Sequence, residues 1–267
     1  MKRLSLFFVV FNFFVACTKE IELDYNSVDS IYVIEAILSD SVNSVYITKT
    51  RDMSEPVGEA VTDSAIVTIT SESGDKYSML ADEDGIYRLV DDLKLTEYQL
   101  YSIDVSIDNY EFSATSELTD TTSIDHVLFS FFDMMGTEMV LATIIFDDIA
   151  DVDSYYRYII TVDGELYTWG LTKDSEYIDG QTMKIYVSLL QSGDEEEEGD
   201  IVVSDGSEVS VELQVITKDV YDYFYSLYMS PHTCANPITN FSGGCLGYFS
   251  AQTSSTHTSV LDYNLIY

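Results

Sequence analysis

Short strand-like runs recur along this chain, and their spacing restricts the possible fold more than any other feature of the sequence. Runs rich in Ile, Val, Tyr and Thr follow one another about every 8 to 12 residues, the spacing of strands in all-β sandwiches. Residues 98–107 (YQLYSIDVSI) show the alternation of apolar and polar side chains that a half-buried strand requires. Turn residues such as Gly74-Asp75 separate the runs. The first group comprises residues 30–38, 44–50, 65–70, 76–80, 86–90, 98–107 and 110–116.

A second group of strand-like runs follows a change in composition. Residues 117–123 (ELTDTTS) contain no bulky apolar side chain except Leu118, and they mark the expected domain boundary. The Asp163-Gly164 pair predicts a tight hairpin within the second group. We therefore predict an all-β fold with two β-sandwich-like domains, residues 30–120 and a β-rich domain of residues 121–267. The runs of the second group are residues 138–146, 155–162, 165–169, 182–190 and 208–217.

Residues 217–229 (TKDVYDYFYSLYM) interrupt the β pattern. Thr217 is of the type that caps helix N-termini, and Asp219 follows in what would be the first turn. Apolar side chains then recur at the i, i+4, i+7 spacing of one helix face, at positions 220, 224 and 227. The tyrosines at positions 221, 223 and 225 would equally suit a strand. We predict one short helix near residues 218–229.

The first seventeen residues are typical of a bacterial lipoprotein signal. Lys2 and Arg3 precede an apolar run that ends at Ala16-Cys17. The run is shorter than the roughly 20 residues that a membrane-spanning helix needs. We expect residues 1–16 to be a cleaved signal peptide, Cys17 to carry the lipid, and residues 17–29 to form a tether. The alternative is an apolar first strand beside a chance cysteine.

Charge excludes one class of partner. The chain has 47 acidic and 12 basic residues, a formal net charge of −35 at pH 7. Nucleic acids and anionic membrane surfaces are bound through clustered Lys and Arg, which this sequence lacks. We therefore predict no nucleic-acid partner.

Nothing in the sequence indicates a catalytic site. Nucleophilic hydrolysis normally requires a histidine base, and His126, His232 and His257 all lie away from a nucleophile motif. Pairs of carboxylates such as glycosidases use will occur by chance among 47 acids, so they identify no site. We predict that the protein is not an enzyme, and we keep a carbohydrate-active enzyme as the weakest alternative.

Cys234 and Cys245 remain after Cys17 is assigned to the lipid. An exported protein meets an oxidising compartment, so we predict a disulfide between them, which would stabilise the fold by about 3 kcal/mol. The alternative is a metal site that uses His232 and Cys234. Two ligands fall short of the four that structural zinc takes.

An acidic stretch offers the second possible metal site. Asp147, Asp151 and Asp153 are closely spaced carboxylates, and calcium binds six to eight oxygens in proteins. The stretch does not complete a calcium-loop pattern. We expect no cofactor beyond weak calcium binding there, the alternative being an acidic turn between strands.

Aromatic residues are the better candidates for ligand binding. The chain has 21 tyrosines and a single tryptophan. Tyr and Trp anchor interfaces and stack on sugars, because each combines a broad apolar face with a polar group. Trp169, beside Gly170 at the end of a run, and Tyr167 are the expected ligand-binding residues. The alternative is that these rings only pack in the core.

Several stretches resemble a known family. They are Ile34-Glu35, residues 45–50 (VYITKT), Tyr155-Tyr156-Arg157 and residues 236–251, which end in Gly247-Tyr248-Phe249. With the lipid cysteine, their order resembles the domain-of-unknown-function 4249 family of Bacteroidota lipoproteins, encoded beside TonB-dependent receptors. The resemblance implies an immunoglobulin-like or transthyretin-like first domain, a β-rich second domain and a receptor partner. It implies no catalytic residues.

Lys19-Glu20 resembles the signal that sends such lipoproteins to the cell surface. We therefore expect an outer-membrane lipoprotein, lipid-anchored and facing the exterior. Its expected role is that of an accessory or ligand-capture subunit of a TonB-dependent transporter in nutrient uptake. The alternative is an adhesive or structural surface lipoprotein without a transport partner.

Overall fold

The computed structural model describes residues 29–51, 65–91, 93–134, 137–175, 179–191 and 201–265. Fifteen strands and one helix lie in these ranges, which confirms the all-β prediction. Cys17, Lys19 and Glu20 lie outside them. In the part of the chain that the structure describes, no helix is long and apolar enough to cross a membrane.

The first sheet has eight strands, in the order β14-β1-β2-β5-β4-β3-β6-β7. Alternate residues of β1 are buried, beginning with Tyr32 and Ile34, so the sheet has one apolar face. The sheet curls until its terminal strands meet, where the Ala251 N–H donates to Ser116 Oγ at 2.9 Å. The strands are β1 (Tyr32–Leu38), β2 (Asn43–Lys49), β3 (Ala65–Ser71), β4 (Lys76–Ala81), β5 (Tyr87–Leu89), β6 (Leu100–Ile107), β7 (Tyr110–Glu117) and β14 (Leu246–Ala251).

Two smaller sheets form a sandwich from most of the second half of the chain. One has the order β11-β10-β13-β15 and the other β12-β9-β8. Side chains from both sheets, including Phe146 and Tyr156, meet in a second apolar core. The strands are β8 (Ile124–Met134), β9 (Thr137–Asp147), β10 (Tyr155–Val162), β11 (Glu165–Lys173), β12 (Thr182–Leu189), β13 (Glu208–Ile216) and β15 (Thr253–Val260).

Strand β14 follows the domain boundary expected near residue 120, yet it belongs to the first sheet. It pairs in parallel with β1, in a register that sets Gly247 against Ile34. Phe241 and Cys245, which precede this strand, are buried in the core of the first sheet. The first sheet is therefore completed by a strand from the 121–267 half of the chain.

The predicted helix is confirmed as α1, Lys218–Thr233. It runs four residues beyond the predicted end at 229 and includes Pro231. Thr217 occupies the N-cap position but makes no side-chain capping bond. The helix ends at Cys234, whose φ of 53° is left-handed and whose N–H donates to the Ser230 carbonyl.

Candidate functional site

Helix α1 packs where the two halves of the chain meet. Phe224 contacts Trp169 of β11 with ring centroids 5.6 Å apart, and Tyr248 of β14 at 4.8 Å. Ile37 of β1 packs against the same group of side chains. We call this group the junction cluster: Ile216, Val220, Tyr223, Phe224 and Tyr248, with Ile37, Tyr155, Trp169, Leu171, Tyr221 and Leu227 packed against it.

Arg157 of β10 lies inside the junction cluster. Its guanidinium carbon is 4.0 Å from the Phe224 ring centroid and 5.5 Å from that of Trp169. Its Nη1 donates to Gln214 Oε1 at 3.1 Å, whereas its Nε has no hydrogen-bond partner. Burial lowers the pKa of Arg157. Arginine is so basic that the group stays cationic, and its guanidinium packs between helix α1 and the β10-β11 hairpin.

An aromatic cleft opens beside this cluster, with a volume of about 370 Å³. Strand β11 forms one side of it and helix α1 the other. None of its lining residues carries a charge. We call it the tyrosine cleft, and its lining residues are Tyr158, Trp169, Gly170, Leu171, Tyr221, Tyr225 and Tyr228.

Gly170 makes room for the ring of Tyr158 in the tyrosine cleft. The two residues are cross-strand partners on β11 and β10. A Cβ at position 170 would lie 2.2 Å from the Tyr158 hydroxyl oxygen and 2.3 Å from the ring carbon that bears it. The ring therefore lies directly on the glycine. Burial raises the pKa of Tyr158, so its hydroxyl is neutral at physiological pH.

Three tyrosines of helix α1 form the opposite wall. Tyr221 and Tyr225 stack with an interplanar angle of 6° and centroids 6.3 Å apart. Tyr155 packs on Tyr221 at 5.2 Å. Tyr225 is 53% exposed and Tyr228 is 65% exposed, so their rings present apolar area to solvent. The spacing of four and three residues puts all three on one face of the helix.

Of the two aromatic residues predicted to bind ligand, the structure places only Trp169 in the cleft. Tyr167 packs instead on the core between the two smaller sheets. Its hydroxyl donates to the Ser188 carbonyl at 3.2 Å and accepts from the Leu190 N–H at 2.9 Å. The cause is a register shift in the β10-β11 pairing, which leaves Tyr167 without a partner on β10. Tyr167 ties the hairpin to β12.

The three carboxylates considered for calcium do not converge, which corrects that expectation. Asp147 accepts from the Thr182 hydroxyl at 2.7 Å, and the N–H of Asp151 donates to Asp179 at 2.8 Å. Asp153 is exposed. Across the described ranges no three His, Cys, Asp or Glu side chains are arranged to hold a metal ion. The stretch is an acidic turn.

The predicted disulfide is not formed, and both cysteines are free. Cys234 is exposed at the end of helix α1, whereas Cys245 is buried in the core of the first sheet. The two thiols thus belong to different surroundings, although they are close in sequence. Burial raises the pKa of Cys245 to about 11. The alternative zinc site is also absent from the described residues.

These surroundings predict unequal thiol reactivity. Iodoacetamide at pH 8 should modify Cys234 in the folded protein and leave Cys245 unmodified. A pKa of about 11 leaves roughly a thousandth of the Cys245 thiol ionised, and the side chain is buried as well. Peptide mass spectrometry before and after unfolding in urea measures this. Protection of both residues, together with a pair of peptides linked through Cys234 and Cys245, would instead support the predicted disulfide.

The histidines do not assemble a catalytic triad among the described residues. His126 and His232 are exposed. His257 Nε2 lies 3.1 Å from Ser259 Oγ on β15, and no described carboxylate hydrogen-bonds its other ring nitrogen. This pair lacks the orienting group that a serine nucleophile requires.

Comparison with known proteins gives a family match and likenesses to solved structures. No curated protein matches the chain significantly. Among solved structures it is similar to a two fibronectin type-III domain segment from chicken tenascin, at 14% identity over 82% of this chain and 91% of that one. The TM-score is 0.24, too low to support an argument. The family described as "Domain of unknown function (DUF4249)" matches residues 18–258. Because that match spans most of its length, the chain belongs to the DUF4249 family.

Proposed function

We propose that this protein is a surface-exposed outer-membrane lipoprotein that captures a ligand in the tyrosine cleft, as an accessory subunit of a TonB-dependent transporter. The observation that carries the proposal is the cleft itself. It is a preformed concave site lined by five tyrosine and tryptophan rings, in a chain whose residues carry a net charge of −35. Uncharged aromatic concavities are typical of binding sites.

The construction of the cleft favours binding over core packing alone. A tyrosine that serves only the core buries its ring, yet Tyr225 and Tyr228 keep more than half of their surface in solvent. Tyr221 is nevertheless held by stacking on Tyr155 and Tyr225. A prearranged platform loses little side-chain entropy when a ligand arrives, and this strengthens binding.

Support for the lipid anchor and the transport partner comes from sequence. The Ala16-Cys17 site predicts acylation, and several acyl chains hold a protein stably at a membrane. Lys19-Glu20 favours display on the outer face. The resemblance to lipoproteins encoded beside TonB-dependent receptors supplies the partner.

Affinity purification of the full-length tagged protein in mild detergent tests the partnership. We expect an outer-membrane barrel, identified by mass spectrometry as a TonB-dependent receptor, to copurify from the native host. A Cys17→Ser variant, which cannot be acylated, is the matched control and should recover much less receptor. If the acylated protein is abundant at the surface and yields no receptor in repeated purifications, the adhesive alternative replaces the transport role.

A further inference from the structure

Strand β11 has an open edge. It is the last strand of its four-stranded sheet and pairs with β10 on one side. No described strand pairs with its other side. The outward N–H and C=O groups of an edge strand are left without ladder partners, so they can template a further strand.

The tyrosine cleft runs along this open edge. It contacts Trp169, Gly170 and Leu171, which are consecutive in β11. Successive side chains of a strand point to opposite faces of the sheet. A cleft that touches three consecutive residues therefore lies at the edge of the strand, against its main chain, rather than on one face.

Protection against unwanted pairing is present at the ends of β11 and missing at its centre. Proteins protect sheet edges with charges, bulges and prolines. In β11 the bulge lies at Tyr167 and the charges are Glu165 and Lys173, at the two termini. Trp169, Gly170 and Leu171 between them are uncharged, and no proline interrupts the strand. The unprotected centre coincides with the tyrosine cleft.

We infer that the tyrosine cleft binds an extended peptide segment of a partner protein, which adds as a strand to the edge of β11. The inference rests on the proposed binding role of the cleft and names its occupant. Main-chain hydrogen bonds to β11 would supply affinity, and side-chain pockets on either face would supply specificity. Three residues of β11 span about 10 Å, so a segment of about five or six residues fills the site.

Aromatic side chains lie on both faces of the β11 edge. Trp169 and the helix tyrosines lie on one face, and the ring of Tyr158 over Gly170 lies on the other. Alternate side chains of the segment therefore meet aromatic surfaces on both sides, which suits Val, Thr, Tyr and Phe.

Charge complementarity sets the flanks of the segment. The cleft lining is uncharged, whereas the chain as a whole carries a net charge of −35. Such a field attracts basic groups and repels acidic ones over distances of about a Debye length. The occupant has a neutral centre and basic flanks.

Peptide pools test the inference on the full-length lipidated protein in detergent. The first pool has the form Lys-Lys-x-x-x-x-Lys-Lys, with x drawn from Val, Thr, Tyr and Phe. The second pool has the same composition but is N-methylated at alternate central residues. One half of it carries the methyl groups on the first and third central residues, and the other half on the second and fourth. N-methylation removes main-chain donors and keeps every side chain. Retention on immobilised protein, followed by fluorescence anisotropy of retained peptides, gives the affinities.

We expect the first pool to bind and the N-methylated pool to bind at least tenfold more weakly. A Tyr225→Ala/Tyr228→Ala double variant should also lose at least tenfold. Both side chains are more than half exposed, so its melting temperature should stay near that of the wild type. Tyr186→Ala is the matched control, because Tyr186 is a 61% exposed tyrosine on β12 outside the cleft.

The other outcomes separate the two proposals. Equal binding of both pools, or binding that is insensitive to the double variant, overturns strand addition at β11. Binding of maltoheptaose or cellohexaose that depends on Tyr225 and Tyr228, with no retention of peptides, overturns the peptide occupant and leaves ligand capture standing. Absence of binding by either peptide pool and by both sugars contradicts the inference and removes the support for the cleft as a capture site.

Discussion

Replacing Gly247 with alanine should destabilise the protein by about 4 kcal/mol and lower its melting temperature by about 10 °C. Gly247 has φ +104°, a conformation that costs an alanine about 1–3 kcal/mol. A Cβ there would lie 1.9 Å from the Ile34 carbonyl oxygen and 2.6 Å from its carbon. These are main-chain atoms of β1, which cannot swing aside as a side chain can. Urea unfolding followed by circular dichroism gives the free energy.

The effect should extend beyond one residue, because Gly247 lies in the parallel pairing of β14 with β1. To relieve the clash, β14 has to move away from β1. Cys245, just before this strand, is buried in the first core and should then become accessible. Alkylation of Cys245 in the folded variant therefore reports the same displacement independently of the unfolding curve.

Gly164→Ala is the matched control for Gly247→Ala. Gly164 also has a left-handed φ, +86°, but nothing lies within 4 Å of the position where its Cβ would be. The Gly164→Ala variant should lose only about 1 kcal/mol of stability, because alanine disfavours this φ but its Cβ meets no neighbouring atom. Equal losses in the two variants would show that crowding against β1 contributes nothing and would contradict the explanation.

Local patterns account for the parts of the fold that were predicted correctly. Runs of β-type residues identified β1–β7 and β9–β13, whereas β8 and β14 were not among the predicted runs. The Asp163-Gly164 pair forms the predicted hairpin, with φ of 50° and 86° at its two residues. The apolar spacing from Val220 identified α1 in spite of the competing strand pattern. Each of these features depends on residues within a few positions of one another, so the sequence displays it directly.

Long-range pairing could not be predicted in the same way. β14 belongs to the first sheet because of its fit to β1, more than 200 residues earlier. The free thiols follow from that placement, since β14 draws Cys245 into the first core. No local pattern near Cys234 or Cys245 indicates which sheet β14 joins.

The sequence indicated only part of the cleft. Trp169 was predicted, and Gly170 beside it carried a second signal, since a glycine inside a strand often marks a close approach. The identity of the approaching group, Tyr158, depends on the β10-β11 register. Tyr167 lies outside the cleft because a bulge takes it out of that register. The position of a bulge cannot be predicted reliably from a single sequence.

Arg157→Ala should destabilise the protein by about 3 kcal/mol. The guanidinium lies against the rings of Phe224 and Trp169 and donates to Gln214. Truncation removes these contacts and leaves a cavity where α1 meets the β10-β11 hairpin. Urea unfolding measures the loss, and near-ultraviolet circular dichroism reports whether the surrounding aromatic side chains remain ordered.

Arg157→Met separates the packing of this side chain from its charge. Methionine refills most of the volume, and replacing a buried cation by an apolar group of similar size is often close to neutral, so we expect a loss within about 1 kcal/mol at pH 7. A loss as large as that of Arg157→Ala would show that the charge, and not the packing, holds the helix.

The pH dependence of Arg157→Met supplies an independent test of the charge. Glu35 is exposed on β1, but packing around its carboxyl still displaces some water and raises its pKa, and Arg157 opposes that rise. A carboxyl whose folded-state pKa is raised destabilises the fold above its ordinary pKa, and the effect disappears as the group becomes protonated. Without the guanidinium the pKa of Glu35 should rise further. The wild type should therefore exceed Arg157→Met in stability by more at pH 7 than at pH 4, and an equal difference at both would exclude coupling between the two groups.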